Sequence, residues 1–127
     1  MKAINIALLR FWSNFGVTAY LAGQVPDDAT FPYITFDPVA GDAFGTSILT
    51  AHNWHKVKDG TSVNEERAAL LDAIAEAIPT KGVRLPLERG FIVLRRNADN
   101  FQTYYDDPEA ADIKGGRTSY EAYYYTY

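Results

Sequence analysis

The segment from Ser62 to Pro79 constrains the fold most, because its helix signals agree at the start, in the middle and at the end. Ser62 precedes Glu65 by three residues, the spacing of a capping box, in which the serine oxygen accepts from a first-turn amide and the glutamate reaches back to the serine amide. Pro79 and Gly82 end the helix. We expect an amphipathic helix that packs one face on a sheet. Its apolar face carries Leu70, Leu71, Ile74, Ala77 and Ile78, and its acidic face carries Glu65, Asp72 and Glu76.

A first helix is predicted over residues 3 to 15, ending at Gly16. Its core stripe consists of Ile4, Leu8, Phe11 and Phe15. A second apolar line lies on the other side of this helix and consists of Ile6, Leu9 and Trp12. Either a strand or loop of the same chain covers this second line, or it contacts a neighbouring subunit.

The remaining segments alternate apolar and polar residues with the period of β-strands. Residues 33 to 39 and 47 to 57 are predicted to pair as antiparallel neighbours around a turn at Gly41 to Gly45. Further strands are predicted at 83 to 87, 91 to 94, 101 to 105 and 117 to 127, and residues 17 to 22 can form a short additional strand. The order predicts a single α+β domain spanning 1–127, with a mostly antiparallel sheet of about four to six strands and two helices packed on one face.

Composition narrows the classes of function. The 127 residues include no cysteine, which excludes thiol chemistry, disulfides and cysteine-based zinc sites. Twelve basic residues against sixteen acidic ones argue against a large phosphate-binding surface, so sequence-specific binding of nucleic acid is not predicted. The amino terminus lacks the pattern of a signal peptide, and no apolar run reaches the roughly 18 residues of a membrane span. We expect a soluble protein made in the cytoplasm, without membrane contact.

Motifs for catalysis or metal binding are not recognised. His52 and His55 point to opposite faces of a strand, so a shared metal is not predicted. The acidic segment from Asp106 to Asp112 lacks the spacing of a calcium-binding loop and is predicted to be a solvated turn. Neither a nucleophile elbow nor a P-loop occurs. We therefore predict no cofactor and no metal, and no motif supports enzymatic activity, although none excludes it.

Tyrosine is concentrated at the carboxy terminus, where five of the nine tyrosines fall within residues 120 to 127. Strand alternation places Tyr123, Tyr125 and Tyr127 on one face and Tyr120 and Tyr124 on the other. We expect core packing on one face and a protein contact on the second. Stacking on single-stranded nucleic acid is less favoured, because few cations lie nearby to follow a phosphate backbone.

A resemblance to a known family rests on the order and character of the segments. These are the amino-terminal helix, Phe31-Pro32-Tyr33-Ile34-Thr35-Phe36, a strand with Trp54, the helix after Ser62, Glu88-Arg89-Gly90-Phe91-Ile92-Val93-Leu94 and a final hairpin. Together they resemble the tail terminator, or tail completion, proteins of long-tailed bacteriophages, a group that includes minor capsid and head-tail joining proteins.

The resemblance implies an α+β subunit that forms a ring with copies of itself, expected to be hexameric. Such a ring terminates the tail tube and contacts the tail tube protein and the head connector proteins. It implies assembly in the cytoplasm of a bacterial host, a final location in the virion tail, and no catalytic residues.

Candidate contact residues come from the second apolar line of the first helix, from the outer tyrosine face of the last strand and from the second helix. Arg67 belongs among them because it lies within the apolar arc of its helix, where it either extends past Leu71 to water or meets another subunit. The candidates are Ile6, Leu9, Trp12, Arg67, Tyr123, Tyr125 and Tyr127. Two alternatives stay open: a small-molecule-binding or enzymatic domain with an aromatic-lined cavity, and an adaptor that binds one partner without forming a ring.

Overall fold

The chain forms an α+β fold with two helices and seven strands in the residues that the computed structural model describes, 2–39 and 46–126. In chain order the elements are α1 (Lys2–Trp12), β1 (Thr18–Leu21), β2 (Tyr33–Phe36), β3 (Thr46–Lys56), α2 (Asn64–Ala77), β4 (Val83–Leu87), β5 (Gly90–Arg96), β6 (Gln102–Asp106) and β7 (Ile113–Thr126). The fold class agrees with the prediction, and the predicted turn at Gly41 to Gly45 lies outside the described residues.

Strand β7 is the centre of the sheet, because it pairs along both edges. Its register with β3 runs from Ile113 opposite Lys56 to Tyr123 opposite Thr46. Along its other edge β7 pairs first with β6 and then with β5. The sheet order is β1-β2-β3-β7-β5-β4, with β6 beside β7. One strand that alternates core and surface side chains therefore organises the whole sheet.

The sheet is curled and antiparallel except for one pair. β1 runs parallel to β2, whereas the predicted pairing of β2 with β3 is antiparallel, as expected. The seven described strands exceed the predicted four to six. The seventh strand is β1, which lies within residues 17 to 22, where the sequence allowed a short strand, and pairing with β2 holds it in the sheet.

Two glycines allow β7 to approach its neighbours closely. A Cβ atom on Gly115 would lie 2.4 Å from the backbone oxygen of Asn53, and one on Gly116 would lie 2.7 Å from the side chains of Asn53 and Leu71. Neither glycine has a positive φ angle, so glycine is needed at these positions for lack of space and not for the backbone conformation. The absence of a side chain at these positions lets α2 pack directly on β7.

Helix α2 begins and ends differently from the predicted Ser62 to Pro79. Its N-cap is Val63, whose buried side chain draws this segment into the interior, and no side chain caps the helix. Ser62 Oγ accepts from the backbone amide of Asn64 at 3.2 Å, so the predicted capping box with Glu65 is wrong. The predicted apolar face is confirmed at Leu70, Leu71, Ile74 and Ile78.

The hydrophobic core joins both helices to the sheet. α2 contacts β7 and β3, whereas α1 contacts β4 and β1, the two ends of the strand order. Asn5 of α1 also holds the segment after β2, because its amide accepts from Val39 N at 2.8 Å and donates to Val39 O at 3.3 Å. The core includes Ile4, Leu8 and Phe11 from α1, Leu70 and Ile74 from α2, and Ile34, Phe36, Leu49, Ile92, Leu94, Tyr120 and Tyr124 from the sheet.

We predict that Gly115→Ala lowers the free energy of unfolding by about 1–3 kcal/mol, because the new methyl group overlaps a backbone oxygen that cannot move without shifting β3. Thr103→Ala is the matched control, since it removes an exposed side chain from the neighbouring strand. Urea denaturation followed by circular dichroism measures both. Equal stability of the two variants would contradict the close approach.

Candidate subunit interface

Trp12 of the second apolar line lies in the core, so for this residue the alternative of cover by a strand of the same chain is confirmed, and its candidate role in a subunit contact is wrong. Its side chain is 0% exposed, and its indole Nε1 donates to the hydroxyl of Tyr120 at 3.3 Å. In a helix Trp12 lies about 40° from Leu8 and about 60° from Leu9, so spacing alone admits either face. The helix ends at Trp12, and the indole packs between Phe11, Phe15 and Tyr120.

The other two members of that line are on the surface. Ile6 is 41% exposed and Leu9 is 38% exposed. The alternative in which a strand or loop of the same chain covers them is therefore wrong for these two residues. Because Trp12 is buried, Ile6 and Leu9 alone form a small apolar pair on the solvent-exposed side of α1. Their role in a subunit contact stays a prediction.

Arg67 adopts an arrangement that differs from both sequence-based alternatives. Its guanidinium donates to Asp106 at 2.9 Å, to the backbone oxygen of Gly115 at 3.2 Å and to Asn64 at 3.0 Å. It also lies 4.4 Å from the ring centre of Tyr104. The hydrogen bond from Arg67, assisted by Lys114, lowers the pKa of the Asp106 carboxyl. Arg67 therefore joins α2 to β6 and β7 within the subunit.

The tyrosines of β7 divide between two faces as predicted. Tyr120 is 0% exposed and Tyr124 is 5% exposed, and both belong to the core. Burial raises the pKa of the Tyr120 hydroxyl above its ordinary range, so it stays a neutral partner for Trp12. Tyr123 is half-buried and Tyr125 is 52% exposed on the second face of the sheet. Tyr127 lies outside the described residues.

Around these two tyrosines the second face forms an aromatic–arginine patch, which consists of Arg84, Phe91, Arg95, Tyr123 and Tyr125. The Phe91 and Tyr125 rings are stacked with centres 4.9 Å apart. The guanidinium of Arg84 lies 3.6 Å above the Phe91 ring, and that of Arg95 lies 5.8 Å from the Tyr123 ring. Strand pairing brings them together, because Val93 is opposite both Arg84 and Tyr123.

Both arginines of the patch are exposed, and neither forms an ion pair with any other residue in the described ranges. A guanidinium held on an aromatic ring keeps its donors directed outward, where they match carboxylate oxygens. Tyrosine, phenylalanine and arginine are also the residue types enriched at the centres of protein interfaces. The patch is therefore suited to bind a carboxylate-bearing protein surface.

The sequence-based candidates did not include Arg84, Phe91 or Arg95. A signal was present, because Arg84 alternates with the apolar Val83 and Leu85, and Arg95 follows the buried Leu94. Alternation is enough to place Arg84 and Arg95 opposite the core, whereas Phe91 belongs to a continuous apolar run. What it could not supply was the register of β4, β5 and β7, which gathers them beside Tyr123 and Tyr125.

The carboxylate opposite Arg95 on β7 is engaged within the chain. Glu121 accepts from the hydroxyl of Tyr123 at 2.5 Å. A surface cleft of about 480 Å³ runs alongside, lined by Arg95, Glu121 and Tyr123 together with Thr80, Arg96, Asn97, Ala98 and Phe101. The patch thus continues into a groove instead of ending at a flat surface.

A second aromatic cluster on the same face surrounds Trp54. His52 stacks on Trp54 with ring centres 5.2 Å apart, and Tyr105 packs edge-on against both. Trp54 Nε1 donates to Thr35 at 3.0 Å. Burial and, to a lesser degree, the charge of Arg117 lower the pKa of His52, against a small opposing effect of Asp37. The neutral form of His52 is therefore favoured at neutral pH.

The two histidines lie on opposite faces of β3, as predicted. His55 is 0% exposed and lies 2.6 Å from Glu66 and 2.9 Å from Asn53, so both ring nitrogens have partners on the core side. Within the described residues, His, Asp and Glu do not form a group of three or more that could hold a metal ion. In the same part of the chain, neither helix is long and apolar enough to cross a lipid bilayer.

No protein-family model matches this sequence, and none of the curated proteins matches it significantly.

We predict that Trp12→Ala lowers the free energy of unfolding by about 3–5 kcal/mol, because it removes a fully buried indole and leaves Tyr120 without its donor. Leu9→Ala, on the exposed side of the same helix, should change stability by about 0.5 kcal/mol or less. Chemical denaturation of both variants tests the assignment. Similar losses in the two variants would place Trp12 outside the core.

We also predict that Arg117→Gln raises the pKa of His52 toward its ordinary value of 6.5, though only in part because burial is the larger cause. The sign for stability follows from linkage: the folded protein binds this proton less readily than the unfolded chain, so stability is greatest above pH 6.5 and declines as the pH falls below it. NMR titration of His52 gives the measurement. An unchanged pKa would mean that Arg117 does not face His52.

Proposed function

We propose that this protein is a non-enzymatic structural subunit of a long-tailed phage or prophage virion. Copies form a ring, expected to be hexameric, that terminates the tail tube and joins it to the head connector. Its partners are other copies of itself, the tail tube protein and the head connector proteins, without sequence-specific contact to nucleic acid and without a cofactor. Assembly takes place in the bacterial cytoplasm, and the final location is the virion tail.

The observation that carries this proposal is the exposed aromatic–arginine patch on the second face of the sheet. It includes Tyr123 and Tyr125, two of the residues that the sequence assigned to a protein contact. We infer that both helices cover the opposite face and leave this one free for a neighbouring molecule. An exposed set of large aromatic and arginine side chains is typical of a protein-binding surface.

Ring formation requires two different surfaces on each subunit, because a head-to-tail contact joins unlike patches. The aromatic–arginine patch supplies the first surface. The apolar pair Ile6 and Leu9 is too small to cover it once Trp12 is counted in the core, so we assign this pair to contact with the tube or the connector proteins. The resemblance in segment order to tail terminator proteins supports the assignment of the ring to a phage tail.

The cavity-based alternative has less support. It requires space between the helices and the sheet, and there Trp12 and Tyr120 meet through a hydrogen bond with both side chains 0% exposed. That alternative stays a hypothesis, and its test is a screen for small ligands that raise the melting temperature.

The test of the ring uses the purified protein alone and mixed with tail tubes assembled from the tube protein of the same virion. We expect light scattering to show an oligomer that grows with concentration, and electron microscopy to show rings capping one end of the tubes. Tyr125→Glu should weaken the oligomer about tenfold or more, because it places a carboxylate within the stacked aromatic pair. The control is Gln24→Glu, an exposed change on a distant loop.

A protein that stays monomeric at all concentrations and leaves tube ends uncapped would overturn the proposed function. Equal assembly of the Tyr125→Glu and Gln24→Glu variants would instead remove the aromatic–arginine patch from the contact. Circular dichroism of each variant establishes that the fold is retained before assembly is compared.

A further inference from the structure

Three arginines of the second face form a diagonal row across three strands. Arg84 lies on β4, Arg95 lies on β5 beyond the pairing partner of Arg84, and Arg117 lies on β7 farther in the same direction. From strand spacing and rise, the row is about 20 Å long. Such a row favours a partner that presents carboxylates along a line of similar length.

Helix α2 presents such a line on its exposed side. Glu65, Asp72 and Glu76 are exposed, repeat at intervals of seven and four residues, and form no ion pair with the described residues. Eleven residues of helix span about 16 Å, which is close to the length of the arginine row. Ala69 and Ala73 are exposed on the same side, so short side chains flank the carboxylates and let a flat surface approach.

These two surfaces face away from each other within one subunit. Leu71 of α2 packs against Gly116 on the core side of β7, whereas Tyr125 points to the second face. The arginine row therefore cannot meet the acidic line of its own α2, but it can meet that of another copy. A subunit that carries two complementary surfaces on opposite sides associates head to tail with further copies. The assembly closes into a ring when each subunit is rotated relative to the one before it.

We propose that the aromatic–arginine patch of one subunit, extended along the arginine row by Arg117, binds the acidic line of α2, made of Glu65, Asp72 and Glu76, on the next subunit. This inference rests on the proposed function, since it names the surfaces that join neighbours in the ring. Arg84 and Arg95 donate to the carboxylates, and the stacked rings of Phe91 and Tyr125 cover the small residues between them. Because the pairs lie near the surface, added salt weakens the contact.

Charge reversal with exchange tests the pairing. The sheet variant carries Arg84→Glu and Arg95→Glu, and the helix variant carries Asp72→Lys and Glu76→Lys. All four side chains are exposed, so the monomer fold should survive, which circular dichroism checks. Sedimentation analysis should show self-association weakened about tenfold or more in each variant alone, because like charges then meet. Matched controls are Lys58→Glu with Lys81→Glu, and Asp27→Lys with Asp28→Lys, at exposed positions elsewhere.

Rescue is the decisive outcome. An equal mixture of the sheet and helix variants should assemble, since each supplies the surface that the other has reversed. A chain with all four changes should also assemble, because both halves of the contact are then exchanged. The pairing with α2 would be overturned if both rescues failed. It would also be overturned if the helix variant alone assembled as well as the wild-type protein.

These results are separable from a failure of the proposed function. If the wild-type protein forms rings on tube ends while the helix variant does the same, the ring stands and the pairing with α2 is wrong. If the exchange rescue succeeds but no variant or wild-type protein caps a tube, the pairing stands and the tail function is wrong.

Discussion

The structure depends on the pairing of β7 along both of its edges. Every other described strand either pairs with β7 or pairs with a strand that does, apart from β1, which joins through β2. This double pairing needs close approach at Gly115 and Gly116, where any side chain would overlap Asn53 or Leu71. Gly115 and Gly116 thus allow α2 to pack on the sheet at this end of β7. There Arg67 of α2 forms its salt bridge with Asp106 of β6.

The same strand connects the core to the proposed contact surface. Tyr120 and Tyr124 point inward, where Tyr120 accepts a hydrogen bond from Trp12, and Tyr123 and Tyr125 point outward beside the arginines of the patch. Because side chains alternate between the two faces of a strand, the burial of Tyr120 and Tyr124 fixes Tyr123 and Tyr125 on the opposite face. A rigid core therefore holds a preorganised aromatic surface, which lowers the entropy that binding a neighbour would cost.

Patterns within single segments were predictive, whereas among contacts between segments only the antiparallel pairing of β2 with β3 was predicted. Alternation identified both faces of β7 and of β3, and helical periodicity identified the buried positions of α2. The start of α2 was misread, because a capping motif is local whereas burial of Val63 depends on the rest of the chain. Trp12 was misassigned for the same reason, since its angle on α1 allows either face and only Tyr120, 108 residues away, selects the core.

The sequence by itself determined the fold class, the type of most elements and the division of the carboxy-terminal tyrosines into two sets. These follow from periodicities of 2 and about 3.6 residues, which are properties of a segment. Tertiary structure alone decided that Arg67 bonds within the subunit and that Arg84, Phe91 and Arg95 gather beside Tyr123 and Tyr125. Those outcomes depend on strand register, which is set by backbone pairing between segments far apart in the chain.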